Sequence, residues 1–227
     1  MGLLLTLLGA CSLGQAEDTT YMGRRLAPTM HYLGAEWLMR ETRESEEAPA
    51  ALLDALQLSP GEVACDVGAG SGYHTLRMAP RVGETGQVYA IDIQPEMLDM
   101  LQQRARDAGL RNVRAVLNTQ ADTGLDPGTC DVILLVDVYH EFSKPAEMLQ
   151  SMRRALKPDG VIALVEFRAE DPRVPIKPLH KMSKAQIMRE LPPSGLKLVR
   201  EVNTLPWQHV MFFQRDDGPD RPIVPAQ

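Results

Sequence analysis

The chain has 227 residues, of which 44% are hydrophobic and 24% charged, and its formal net charge is −6. That length and apolar content fit one α/β domain with a substantial core and a short N-terminal extension. No basic block suited to a phosphate backbone occurs, which argues against DNA or RNA as substrate or partner. Arg104, Arg106, Arg111 and Arg114 read as a solvated face at a helix end.

Residues 1–20 open on Leu3, Leu4, Leu5, Leu7 and Leu8, a run far too short to span a bilayer. Leu8-Gly9-Ala10-Cys11 looks like a bacterial lipoprotein cleavage box, with Cys11 as a lipid anchor and Ser12–Thr20 as its tether. A signal peptide normally carries a charged start, and no Lys or Arg precedes this run. Met-Gly-Leu-Leu-Leu-Thr also fits the myristoylation pattern. A periplasmic or membrane-anchored lipoprotein and a cytoplasmic protein therefore both stay open.

Residues 21–58 are expected to form a helical cap. Met30, Leu33, Trp37 and Leu38 recur at helical spacing, which predicts an amphipathic helix over 29–44. Pro49 suits the first turn of a second helix with Leu52, Leu53 and Leu56 on one face. From residue 59 to 215 strands and helices alternate: strands at about 62–67, 87–92, 112–117, 131–137 and 160–167, helices at about 72–81, 95–109 and 145–156. Lys157-Pro158-Asp159-Gly160 reads as a turn into the fifth strand. After a helix near 183–191, strands over 196–204 and 210–215 must pair antiparallel, because no crossover separates them. Residues 216–227 are expected to fray. The fold class is thus α/β, Rossmann-like and doubly wound, with a mostly parallel seven-stranded sheet and a terminal antiparallel hairpin.

Cys11, Cys65 and Cys130 are the three cysteines, with no CxxC pair and no even framework. Cys65 and Cys130 fall in predicted strands and read as small buried hydrophobes.

The stretch Val63-Ala-Cys-Asp-Val-Gly-Ala-Gly-Ser-Gly-Tyr73 ends an apolar strand in Asp66 and follows it with Gly68, Gly70 and Gly72. Such glycines allow a sharp turn and close approach of a ligand to the backbone, and a helix N-terminus just beyond adds free N–H groups. A dinucleotide fingerprint requires Gly or Ala where Tyr73 stands, so a nicotinamide cofactor is disfavoured. Asp92 ends the second strand about twenty residues on, where a carboxylate can accept both hydrogens of a ribose diol.

With Val88-Tyr-Ala-Ile-Asp-Ile-Gln-Pro-Glu-Met-Leu, Asp131-Val-Ile-Leu-Leu-Val-Asp and Arg154-Ala-Leu-Lys-Pro-Asp-Gly-Val in the same order, the chain resembles the class I S-adenosylmethionine-dependent methyltransferases. It is most similar to their small-molecule branch, which includes the quinone-biosynthesis enzymes. The resemblance covers about 50–215 and implies S-adenosylmethionine as cofactor and a small-molecule acceptor. It implies that Asp66, Gly68, Ala69, Gly70, Gly72 and Tyr73 surround the methionine portion. Asp92 then holds the ribose, Ile93 packs on adenine and Asp137 lies by the methionine end. The family's acidic residue at the adenine amino group is replaced here by Thr119, with Gln120 and Asp122 beside it. A protein that binds the cofactor without catalysis is the alternative.

His140, directly after the fourth strand, is the candidate general base, with Tyr139 and Glu141 orienting the acceptor. Asp137, His140 and Glu141 could also begin a divalent-metal site, but further ligands are not apparent and no metal is assigned. The loop after the fifth strand offers Glu166, Arg168, Lys177 and His180 to grip a polar acceptor. Trp207 and His209 could close the same pocket. Tyr21, Arg24, His31 and Trp37 are candidate lid residues. The acceptor's identity and the oligomeric state are not encoded in these motifs.

Overall fold

The computed structural model describes residues 20–221; the lipid-anchor expectation at Cys11 lies outside them. A two-stranded hairpin, β1 (Thr20–Tyr21) and β2 (Arg24–Arg25), leads into a 3₁₀ helix over Tyr32–Met39 and two short helices, α1 (Arg43–Glu47) and α2 (Pro49–Leu56). The main domain then runs β3 (Val63–Val67), α3 (Thr75–Val82), β4 (Gln87–Asp92), α4 (Pro95–Asp107), β5 (Val113–Leu117), β6 (Cys130–Val136), α5 (Pro145–Ala155) and β7 (Leu156–Phe167). It closes with α6 (Lys184–Glu190), β8 (Leu196–Val202) and β9 (Gln208–Arg215).

The sheet has seven strands in the order β5-β4-β3-β6-β7-β9-β8. All neighbours are parallel except that β9 pairs antiparallel with both β7 and β8. The winding reverses between β3 and β6, so the crevice at their carboxyl ends is where an open α/β sheet binds its ligand. Val88, Ala90, Ile91, Val132, Ile133, Leu134, Ala163 and Leu164 are buried. Such continuous apolar runs are what a parallel sheet covered on both faces requires. Pro95 and Pro145 start α4 and α5, where a missing backbone donor costs nothing.

Four expectations are corrected. The predicted amphipathic helix over 29–44 is a 3₁₀ helix followed by a break at Arg40, whose extended backbone (ψ 141°) ends the run. Leu33 is 77% exposed, so the apolar spacing there does not mark a core face. The Lys157–Gly160 turn lies within β7 as an irregularity: Leu156 pairs with Cys130, and Val161 pairs with Val132. Residues 216–221 are tied down, with Asp216 and Asp217 on Arg153, Asp220 on Lys197 and Arg221 on Glu62. Finally, Cys65 and Cys130 are joined in a disulfide across β3 and β6, with Cα atoms 6.2 Å apart. Their burial was anticipated, their bond was not.

Candidate active site

The turn after β3 is built before any ligand is considered. Asp66 is buried, and its Oδ2 accepts from the Thr75 hydroxyl at 2.6 Å, fixing the start of α3. Gly68 has φ +75°, and a Cβ there would lie 2.4 Å from Val138 Cγ2, the residue after Asp137. Gly68→Ala therefore combines a left-handed backbone with an overlap that Val138 cannot relieve without moving. We expect a loss of roughly 2–5 kcal/mol, read by urea denaturation. Gly70 has φ +52°, and its Cβ would meet Leu38 of the cap at 2.8 Å.

Asp92 reaches back from β4 to this turn: its Oδ2 accepts from the Gly70 N–H at 2.8 Å and its Oδ1 from the Gln94 N–H at 2.9 Å. A carboxylate oxygen has two lone pairs, so each remains able to accept a hydroxyl. Ile93, next in the chain, is 37% exposed and leaves an apolar shelf beside it. Thr119 does not offer its hydroxyl as expected: its Oγ1 accepts from the Ala121 and Asp122 amides, and both Thr119 and Gln120 are exposed. The neighbouring Asn118, anchored by its N–H on the Asp92 carbonyl, keeps a buried Oδ1 without a partner. That residue was missed. Its signal was an amide side chain in place of the acidic residue, one position early.

Asp137 follows β6 with φ +51°. Its Oδ2 accepts from Gln208 Nε2 at 2.5 Å, while Oδ1 is buried with no partner. Burial, with Glu47 and Glu166 nearby, holds this carboxyl well above the usual range. An unpartnered carboxylate oxygen at the switch point is a place for a cationic or N–H-bearing ligand group.

Burial also raises Asp66, from the ordinary 3.8 to about 6, against the opposing Thr75 hydrogen bonds. A raised acid favours the folded state while neutral. This contribution is complete below pH 3.8 and is lost as the pH climbs through 6. At pH 8 the loss is about 3 kcal/mol. Asp66→Asn, neutral throughout, should be more stable than wild type at pH 8 by up to that amount. The gap should close toward pH 4, read by guanidinium midpoints.

On the acceptor side His140 is 2% exposed. Its Nδ1 lies 2.7 Å from Glu166 Oε2, and its backbone N–H donates to Glu166 Oε1 at 3.2 Å. A carboxylate only accepts, so Nδ1 carries a proton, and in the neutral imidazole Nε2 then presents its lone pair. Nε2 lies 3.1 Å from His180 Nδ1 and 3.9 Å from Glu141 Oε1. Burial works to lower the His140 pKa, but the charges and hydrogen bond of Glu166, with Glu141, outweigh it and leave it raised. Burial pushes Glu141 up to about 7, and burial with the His140 charge lowers His180.

The other expected site residues are placed elsewhere. The Tyr139 hydroxyl donates to Glu190 at 2.7 Å, in a group with Arg24, so its fully buried ring is core and does not face an acceptor. Burial and the Glu190 charge raise its pKa. The Tyr73 ring lies between the Arg43 and Arg77 guanidinium groups, 4.1 and 3.7 Å from its centroid, which leaves no free face for a cofactor. Arg168 donates to the carbonyls of Asn203, Leu205 and Pro206, pinning the β8–β9 connection and gripping no acceptor. Trp207 packs on Phe167 as a hairpin anchor, Lys177 is exposed, and His209 is buried with neither ring nitrogen partnered. Glu166 serves His140 and is itself fully buried.

The N-terminal segment closes over both halves. The Tyr32 N–H donates to Gln94 Oε1 and Gln94 Nε2 to the Met30 carbonyl, beside Asp92. The Met30 N–H donates to Glu141 Oε2, and the Ala27 N–H to the His140 carbonyl. Arg43 ties this cap together and to the start of α3 by bonding Glu47, the Leu38 carbonyl and His74. Of the expected lid residues, His31 caps the 3₁₀ helix and Trp37 is 43% exposed under Arg40.

The family described as "Methyltransferase domain" matches residues 58–211. The chain belongs to the class I S-adenosylmethionine-dependent methyltransferase family. A ubiquinone/menaquinone biosynthesis C-methyltransferase UbiE from Salmonella arizonae is 29% identical over 153 residues, 67% of this chain and 59% of that protein. The corresponding protein of Idiomarina loihiensis is 32% identical over 51% of this chain and 46% of its own. The chain thus spans about half to three-fifths of these relatives. A solved S-adenosylmethionine-dependent methyltransferase from Aquifex aeolicus superposes with a TM-score of 0.77 at 25% identity, covering 82% of this chain and 98% of that one. S-adenosylmethionine is the cofactor of this methyltransferase. The residues around the switch point suit it: the Asp92 carboxylate with lone pairs to spare, an apolar shelf at Ile93 and two unpartnered acceptors, Asn118 Oδ1 and Asp137 Oδ1.

Proposed function

We propose that this methyltransferase acts on a small molecule whose accepting group must lose a proton, with His140 as the base. The observation that carries this is the His140–Glu166 contact of 2.7 Å, which leaves a lone pair on Nε2 at the carboxyl end of β6, three residues after Asp137. Relatives named for ubiquinone and menaquinone biosynthesis support a small-molecule acceptor.

S-adenosylmethionine supplies a methyl group on a sulfonium, already activated for displacement. The chain's tasks are to bind, align and exclude water. In this reading Asp92 accepts from the ribose diol, Ile93 supports the adenine face and Asn118 accepts from its amino edge. Asp137 Oδ1 receives the methionine end. The segment from Ala27 to Tyr32, laced to Gln94 and Glu141, keeps water from the cleft. Alignment of this kind is worth up to about 7–11 kcal/mol when geometry is ideal. His140 Nε2 takes the acceptor's proton, and Glu166 compensates the resulting imidazolium.

The test supplies S-adenosylmethionine labelled at its methyl to the full chain with fractionated cell extract. Label should enter the low-molecular-weight fraction, and S-adenosylhomocysteine should bind by calorimetry. Asp92→Ala should weaken that binding at least about 100-fold, since two hydrogen bonds to a charged group are lost. Label confined to protein or nucleic acid would refute the small-molecule reading. Cofactor binding without any transfer would instead favour the non-catalytic alternative.

A further inference from the structure

We propose that His140 Nε2, His180 Nδ1 and Glu141 Oε1 bind a divalent first-row transition ion on the acceptor side of the pocket, with Glu166 positioning His140. One donor atom from each of the three residues lies within 4.8 Å of the others. Two nitrogens on one ion at about 2.0–2.1 Å sit roughly 3.3 Å apart in a tetrahedral site. His140 Nε2 and His180 Nδ1 are already 3.1 Å apart, and the Glu141 oxygen is 3.9 Å from Nε2. Small side-chain movements bring all three onto one ion.

The outer atoms of the trio are held as a metal site holds them. Glu166 bonds His140 Nδ1 and so directs the Nε2 lone pair inward, the carboxylate–histidine arrangement that fixes a ligating imidazole. The Met30 N–H takes Glu141 Oε2, leaving Oε1 for the cluster. Glu141 and Glu166 bring two carboxylates to a largely buried place, a charge that a dication offsets. The nitrogen-rich donor set selects Zn²⁺, Fe²⁺, Co²⁺ or Ni²⁺ over Mg²⁺ and Ca²⁺. Three protein ligands leave at least one position open to water or an acceptor oxygen. The sequence placed Asp137 beside His140 and Glu141 as the candidate ligands; the structure puts His180 there instead, forty residues on in the loop after β7.

Binding of the ion stands on this geometry and does not depend on the function proposed above. The ion takes the same Nε2 lone pair that the base uses, so bound Zn²⁺ should suppress the proton transfer assigned to His140.

The test uses the full chain, stripped with a chelator and then titrated with Zn²⁺, with metal content measured after gel filtration. Co²⁺ substitution gives a visible spectrum that reports imidazole and carboxylate ligation. One equivalent of Zn²⁺ per chain is expected, undisturbed by millimolar Mg²⁺. His180→Ala should weaken it at least 100-fold, and Glu166→Gln about 10–100-fold. Melting temperature and S-adenosylhomocysteine calorimetry monitor the fold of each variant. Should His180→Ala misfold, Glu141→Gln provides the same measurement. Absence of stoichiometric uptake at micromolar Zn²⁺, or wild-type affinity in both His180→Ala and Glu141→Gln, overturns the metal site. Metal uptake with no S-adenosylhomocysteine binding would instead sink the proposed function and leave the metal site standing.

Discussion

His140→Ala should lower kcat about 10²–10⁴-fold while S-adenosylhomocysteine binds within a few-fold of its wild-type affinity. The separation follows from where the side chain sits. Its ring contacts Glu166, His180 and Glu141, whereas Asp92, proposed above to hold the ribose, is held by Gly70 and Gln94. Removal leaves Glu166, a buried carboxylate, with the His140 backbone N–H as its remaining bond there. Some loss of stability should accompany the loss of rate, so turnover is to be compared at a temperature where both proteins are folded. Glu166→Gln tests the positioning role separately. It keeps the volume and a carbonyl acceptor for Nδ1–H but removes the charge, so kcat should fall by less than in His140→Ala and KM should change little. A fall in cofactor affinity equal to the fall in kcat would place His140 in the nucleoside site and end its assignment as the base.

The sheet was legible because its physics is local. The central parallel strands read as apolar runs, α2, α4 and α5 open with a proline, α3 closes at a glycine, and the β3 turn concentrates its glycines in five residues. Asp66, Asp92 and Asp137 could be placed because each ends a strand whose position in the order is set by that alternation. What failed required knowing which strands are neighbours. Glu166 meets His140 because β7 lies beside β6; along the chain they are separated by a whole helix. Gln208 meets Asp137 only through the antiparallel insertion of β9 next to β7. Tyr139 and His140 are consecutive, yet the 3₁₀ turn over Tyr139–Glu141 sends one to Glu190 in the core and the other to Glu166. The cap misled for a different reason: with Leu33 and Trp37 exposed, its apolar spacing does not report burial.

The same adjacency governs the second large effect. Reduction of the Cys65–Cys130 disulfide should destabilise the fold by about 4 kcal/mol, the chain-entropy expectation for a closed loop of this size. The bond spans 65 residues of sequence and joins β3 to β6, the two strands that flank the ligand crevice. Both half-cystines are fully buried, so a reductant gains access only when the sheet opens. Thiol titration of the unreduced, denatured chain should therefore find two thiols fewer than titration after reduction. At roughly 2–4 °C per kcal/mol for a domain of this size, the melting temperature should fall about 8–16 °C on reduction. Cys65→Ala with Cys130→Ala should melt near the reduced protein and respond to dithiothreitol no further. If the double variant instead melts with the oxidised wild type, packing alone holds β3 against β6 and the bond adds nothing. If it melts low, the crevice that receives the cofactor depends on an oxidised pair, and S-adenosylhomocysteine affinity should fall with reduction at temperatures near the transition.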